Sequence, residues 1–378
     1  MVLSSTRLSL LDTNTLATEL MLEALSALKH FLKVTTTNKG ENMKTRSFLS
    51  RALLLGSLVL MLHTFVTARA ITSQDTKTKI SDAEAKAVQA VEAAPDINAK
   101  LAAAEEFVKK YPKSNARQHV AEYVVDQILG LAEPNQQLAL VQKFQTVFTE
   151  KAEANAVKPA LVDAYLHLNR VDEAFASGAS HLADNGEDIQ VLVVLAIAGV
   201  EQAKNRNPKY MTASQQYGAK AIELLEGDKK PANMNAALWG KQKAMLPSLY
   251  QEMAVISLIQ QNPTDAQAKL EKSMKLNPGD PFTYVLLGSI TNDEYQKVAQ
   301  TFKSMPDGKA KDEMLQKANA LLDKVIDHYA HAVGLAEGKP QYQQLHDQLL
   351  LDLGSYYRYR HSNSSDGLQK LIDSYKTP

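Results

Sequence analysis

From Ile80 onward the chain is written in runs of roughly 12–20 helix-forming residues, each closed by a short Pro, Gly, Asn or Asp cluster. The clearest breaks are Pro95-Asp96, Tyr111-Pro112-Lys113-Ser114, Glu133-Pro134-Asn135, Asn207-Pro208 and Asn277-Pro278-Gly279-Asp280. Proline cannot continue a helix, and Asn, Asp or Ser accepts hydrogen bonds from the first free N–H groups of the next one. Helices of that length with breaks that tight bury their apolar faces most simply as antiparallel hairpins stacked side by side. Strand chemistry is scarce: aromatics make up 6% of the chain, and no long stretch alternates apolar with polar residues. The expected fold class is all-α, an α-solenoid of stacked helical hairpins over residues 80–290 with a C-terminal capping helical region over 291–378.

One stretch carries a more specific pattern. Pro247 to Asp280 places Tyr250, Met253 and Ala254 on a first helix, Ala266, Leu270 and Ser273 on a second, and Pro278 at the close. Tyr284, Leu287 and Gly288 reopen the pattern in the same phase. Small residues let two helix backbones approach, and the large ones fill the space beside them. Weaker copies occur at Leu161, Tyr165 and Ala174, and at Leu192, Leu195 and Ala196 with an insertion around Lys204–Pro208 before Ala221. Phe107-Val108-Lys109-Lys110-Tyr111-Pro112-Lys113-Ser114 reads as the end of a second helix. The 34-residue unit resembles a tetratricopeptide repeat, of the degenerate kind found in exported bacterial proteins. That resemblance implies a concave wall built from the first helix of each hairpin, and a protein or peptide bound against it. Carried onto this sequence, the wall comprises Gln251, Val255 and Leu258, then Phe282, Val285, Ser289 and Asn292.

The first 70 residues read as an address. Lys44, Arg46 and Arg51 precede the apolar run Ala52–Leu62, and Ala68-Arg69-Ala70 supplies small residues at both positions a signal peptidase inspects. The expectation is a signal peptide over 43–70 cleaved after Ala70, with 1–42 an over-extended N-terminus and 71–79 a flexible tail. The run is shorter than the roughly 18 residues a spanning helix needs, so no stable membrane insertion is expected. A lipid anchor would need a cysteine, and the chain has none. Periplasmic or secreted localisation follows. The same lack excludes disulfides, thiolate metal sites and a cysteine nucleophile.

The 42 basic and 42 acidic residues balance. Residues 1–70 hold eight basic and four acidic groups, which leaves 34 and 38 in the mature chain, a net −4. Nucleic-acid binding, which favours a basic stripe, is not expected.

Reaction chemistry is poorly represented. Gly-x-Ser-x-Gly, P-loop and dinucleotide-binding spacings are missing, and the carboxylates are scattered along helical faces. No cofactor is expected. His328 and His331 lie three apart on one helix with Asp327 beside them, and His346 sits on the next. Such a trio suits a metal ion, yet no HExxH-type motif supports it, and amphipathic-helix histidines are the simpler reading. The sequence Tyr356-Tyr357-Arg358-Tyr359-Arg360-His361 is the most unusual local composition. Arg358 and Arg360 with Tyr356 could grip a partner's carboxylate or phosphate, or Tyr356 and Tyr359 could pack inward while Arg358 and Arg360 favour the helix C-terminus. Asn363-Ser364-Ser365 fits a glycosylation sequon that an exported bacterial chain would not use. Trp239 and Tyr284 are anchor candidates wherever they are exposed.

The functional expectation is a non-enzymatic scaffold or adaptor in the bacterial envelope that binds a peptide or protein. The alternatives are a module for an envelope polysaccharide or lipid using the Tyr/Arg cluster, and a metal-dependent enzyme at His328, His331 and His346.

Overall fold

The computed structural model describes residues 80–228, 230–231, 234 and 236–376, and all regular structure among them is helical. The expected leader, the segment before it and the tail at 71–79 lie outside the described residues. The chain divides into two compact units, one ending at Leu276 and the other beginning at Asn277.

The first unit contains α1 (Asp82–Ala93), α2 (Ile97–Lys110), α3 (Arg117–Leu129), α4 (Pro134–Val147), α5 (Lys151–Ala156) and α6 (Lys158–His167). It continues with α7 (Val171–Asp184), α8 (Ile189–Lys204), α9 (Met211–Glu226), α10 (Ala236–Lys243), α11 (Leu246–Ile259) and α12 (Pro263–Leu276). Hairpins form from α1/α2, α3/α4, α6/α7, α8/α9 and α11/α12. Each hairpin's first helix packs on the first helix of the next, α1 on α3, α3 on α6, α6 on α8 and α8 on α11. Each second helix also packs on the following first helix. That is the stacking of an α-solenoid, held within this unit.

Local chemistry fixes the helix ends. Ser81 and Glu84 form a capping box at α1, and the Asp96 carboxylate accepts from Ala99 N at 2.9 Å to open α2. The first helices α6, α8 and α11 share one closing turn. A left-handed residue follows each of them: Asn169, Arg206 and Gln261 at φ 54°, 64° and 60°. The next amide reaches back to the carbonyl five residues earlier, at 2.8 Å in all three. This is the Schellman arrangement.

The repeat-pattern side chains are where the pattern needs them. Tyr250, Met253, Ala254, Ala266, Leu270 and Ser273 are buried. Three polar side-chain contacts, two of them ion pairs, lie inside the stack. Arg117 meets Glu153 across α3 and α5, Lys204 of α8 meets Glu252 of α11 at 3.1 Å, and His181 Nε2 lies 2.9 Å from Asp188.

The second unit contains α13 (Pro281–Ser304), α14 (Lys309–Ala336), α15 (Gln343–Arg360) and α16 (Leu368–Asp373), with α14 packed against the other three. The helices expected beyond Ile290 are present, but the boundary drawn at 290/291 falls inside α13, a single unbroken helix. Gly288 lets α13 sit directly on α14, since a Cβ there would strike the buried Tyr329 ring.

Candidate interaction surface

In the second unit, rings and amides of α13 lie beside side chains of α15 and of the turn before it. At one end Phe282 and Tyr342 meet edge to face, centroids 5.6 Å apart. Midway, the Tyr356 hydroxyl lies beside Asn292 and Gln296, and its ring lies 6.0 Å from that of Tyr329. Gln296 Nε2 also donates to Asn292 Oδ1 at 3.4 Å. At the far end Tyr295 lies beside Tyr359. Burial, reinforced by Tyr359, pushes the Tyr295 phenol up to about 12, so it stays neutral and able to donate. The structure thus joins two groups that the sequence treated separately, Asn292 and Tyr356.

The outer side of this seam is exposed. Leu351 and Tyr359 of α15 are 74% and 75% accessible, against values near zero for the side chains beneath them such as Leu349 and Leu353. They lie about two turns apart and so share one side of the helix. Neither the leucine nor its neighbour Leu350 belongs to the seven wall residues read from the repeat pattern. A signal was present, because three consecutive leucines, Leu349 to Leu351, cannot all face one core.

Several expectations are corrected. Of the seven wall residues, Gln251, Val255, Val285, Ser289 and Asn292 are buried, and only Leu258 and Phe282 are half-buried. The first group lies in the first unit and the second group in the second. The cause is the packing of first helices: α11 is covered by α8, α9 and α12. On α13 the face in question is buried within the second unit, where α14 is the main helix packed on α13. Trp239 and Tyr284 are buried too, so neither is an exposed anchor. Trp239 Nε1 donates to Asp228 at 3.0 Å, and the Tyr284 hydroxyl donates to the Pro278 carbonyl at 3.2 Å. In the Tyr/Arg cluster Tyr357 turns inward, Tyr356 is half-buried and Tyr359 turns out. Arg360 is not an open fork: its Nε and Nη2 donate to the Asp323 carboxylate at 2.7 and 3.1 Å. Arg358 is exposed.

The histidines do not converge. The His331 ring stacks between Tyr284 and Tyr375, with centroids 3.7 and 4.1 Å away. His346 Nδ1 lies 3.0 Å from Asp347, its own neighbour. Among the described residues no three His, Asp or Glu side chains gather as a metal-ligand set. No helix among them is long and apolar enough to cross a membrane.

No protein-family model matches the chain, and no curated protein matches it. It is similar to a solved tetratricopeptide repeat protein from Parabacteroides merdae, with a TM-score of 0.37 and 11% identity. The match covers 77% of this chain and 98% of that one. At that score the likeness adds nothing to the hairpin geometry above.

Proposed function

We propose that this chain is a non-enzymatic scaffold of the bacterial cell envelope that docks a protein partner on the outer side of α15. The observation that carries the reading is the pairing of Leu351 and Tyr359, both about three-quarters exposed, on one side of a helix whose inner side is fixed in the core. Apolar and aromatic side chains held on a rigid helix lose little conformational entropy on docking, and such anchors dominate interface energies. The exposed Arg358 adds a charged contact beside them. The envelope assignment rests on the signal-like segment 43–70, and the reading as a binder rather than a catalyst rests on the scattered carboxylates and missing nucleophile motifs.

A photoreactive amino acid placed at 351 or 359 in the native cell tests this. The expected result is one discrete protein adduct at each position, absent when the same residue is placed at the exposed Glu187 of the first unit. Equal labelling at all three positions would contradict it.

A further inference from the structure

The segment after α15 folds back onto α14, where Ile372 is buried and Tyr375 is held by α14 side chains. Tyr375 stacks on His331, centroids 4.1 Å apart and planes 12° apart, and His331 stacks on Tyr284 in turn. The Tyr375 hydroxyl donates to the Asp327 carboxylate. Gly334 makes the approach possible, because a Cβ there would strike the Ile372 carbonyl and Tyr375. Lys376 closes the end by pairing with Glu337 and Asp373, both at 2.7 Å. A titrating imidazole is therefore the middle ring of a three-ring stack.

We propose that residues 368–376 are a strap that His331 holds while its imidazole is neutral and releases when it is protonated, uncovering Tyr284 and the Gly334 face of α14. The groups facing the ring come from three elements. From α14 there are Asp327 and His328, with Lys324 acting on His328 in turn. From α13 there is Tyr284, with Asp280 near its hydroxyl. From the strap there is Tyr375, with Lys376 and Asp373 engaged beside it.

Burial lowers the His331 pKa, Asp327 works the other way, and His328 adds to the lowering. Burial also lowers His328, one turn away, so acid places two cations on the same turn. Phenol faces attract an imidazolium. Here, however, both ring faces are covered, so the cation would lose water on both sides, and Asp327 is already engaged by Tyr375. For a histidine whose pKa is depressed when docked, the stabilisation is complete above its ordinary value, about 6.5, and is lost as pH falls through the depressed one.

Hydrogen–deuterium exchange of peptides spanning 368–376, corrected for the intrinsic pH dependence, reads the strap in the full chain. Exchange there should rise several-fold between pH 7.5 and pH 5.0 while circular dichroism stays native. Tyr375→Ala should show the fast rate already at pH 7.5. His331→Phe, which keeps a ring but cannot be protonated, should abolish the pH response, and His331→Gln provides a second non-titrating variant if the first fails to fold. The proposal is overturned by a wild-type strap equally or better protected at pH 5.0, by a pH response that survives in either His331 variant, or by a Tyr375→Ala strap that exchanges as slowly as wild type.

Discussion

Arg117 and Glu153, 36 residues apart in the chain, meet as fork and carboxylate inside the stack, with Nε to Oε1 at 2.7 Å and Nη2 to Oε2 at 2.8 Å. A third donor of the same guanidinium reaches the Pro112 carbonyl at 2.9 Å. Both side chains are buried. Arg117→Ala leaves the buried Glu153 without its partner, a loss of about 3–5 kcal/mol, and Glu153→Ala should cost less because Glu150 still lies 3.6 Å from the guanidinium. Replacing both, Arg117→Met with Glu153→Leu, should recover most of that loss. Equilibrium urea unfolding of the three variants checks this non-additivity.

Lys204 shows a related balance. Burial works against its charge, but Glu252 and Glu201 together outweigh that and leave its pKa raised. A lysine with a raised folded-state pKa contributes stability that is complete below its ordinary value, about 10.4, and lost as pH rises through the raised one. Lys204→Met should therefore lower the urea midpoint at pH 8 and flatten its decline above pH 10.5, read by circular dichroism.

Gly288 and Gly240 make opposite predictions for the same substitution. A Cβ at Gly288 meets the Tyr329 ring and His328, whereas at Gly240 nothing lies within 4 Å. Gly288→Ala should destabilise by about 1–3 kcal/mol through overpacking. Gly240→Ala, in the interior of α10, should stabilise by up to about 1 kcal/mol. Thermal unfolding of both variants measures the contrast.

Tyr356→Phe keeps the ring and removes the half-buried hydroxyl beside Asn292 and Gln296. A cost of up to about 1 kcal/mol is expected for the lost polar contact. Tyr359→Ser, at an exposed position, should stay within about 0.5 kcal/mol of wild type. Chemical denaturation distinguishes the inner tyrosine from the outer one.

Much of the fold was legible because proline and capping residues mark helix ends locally. Pro95-Asp96 and Asn277–Asp280 fall between helices, and Ala254, Ala266 and Leu270 are core as their phase required. The turns after α6, α8 and α11 were harder to read. Their left-handed residues are Asn169, Arg206 and Gln261, and only the first is of a type that favours such a turn. The burial of Gln251, Val255, Val285, Ser289 and Asn292 is illegible for a different reason. Periodicity shows that Val255 and Val285 share a face with Gln251 and Ser289, but not whether another helix covers that face. Arg117–Glu153 was invisible for the same cause, since a pair so far apart leaves no local pattern.

Docking on the outer side of α15 is read out by partner affinity. With the partner captured by crosslinking at 351 or 359, Leu351→Ser/Tyr359→Ser should keep wild-type stability and weaken the dissociation constant by at least about tenfold, some 1.4 kcal/mol. A doubly substituted chain that binds that partner as tightly as wild type would contradict it.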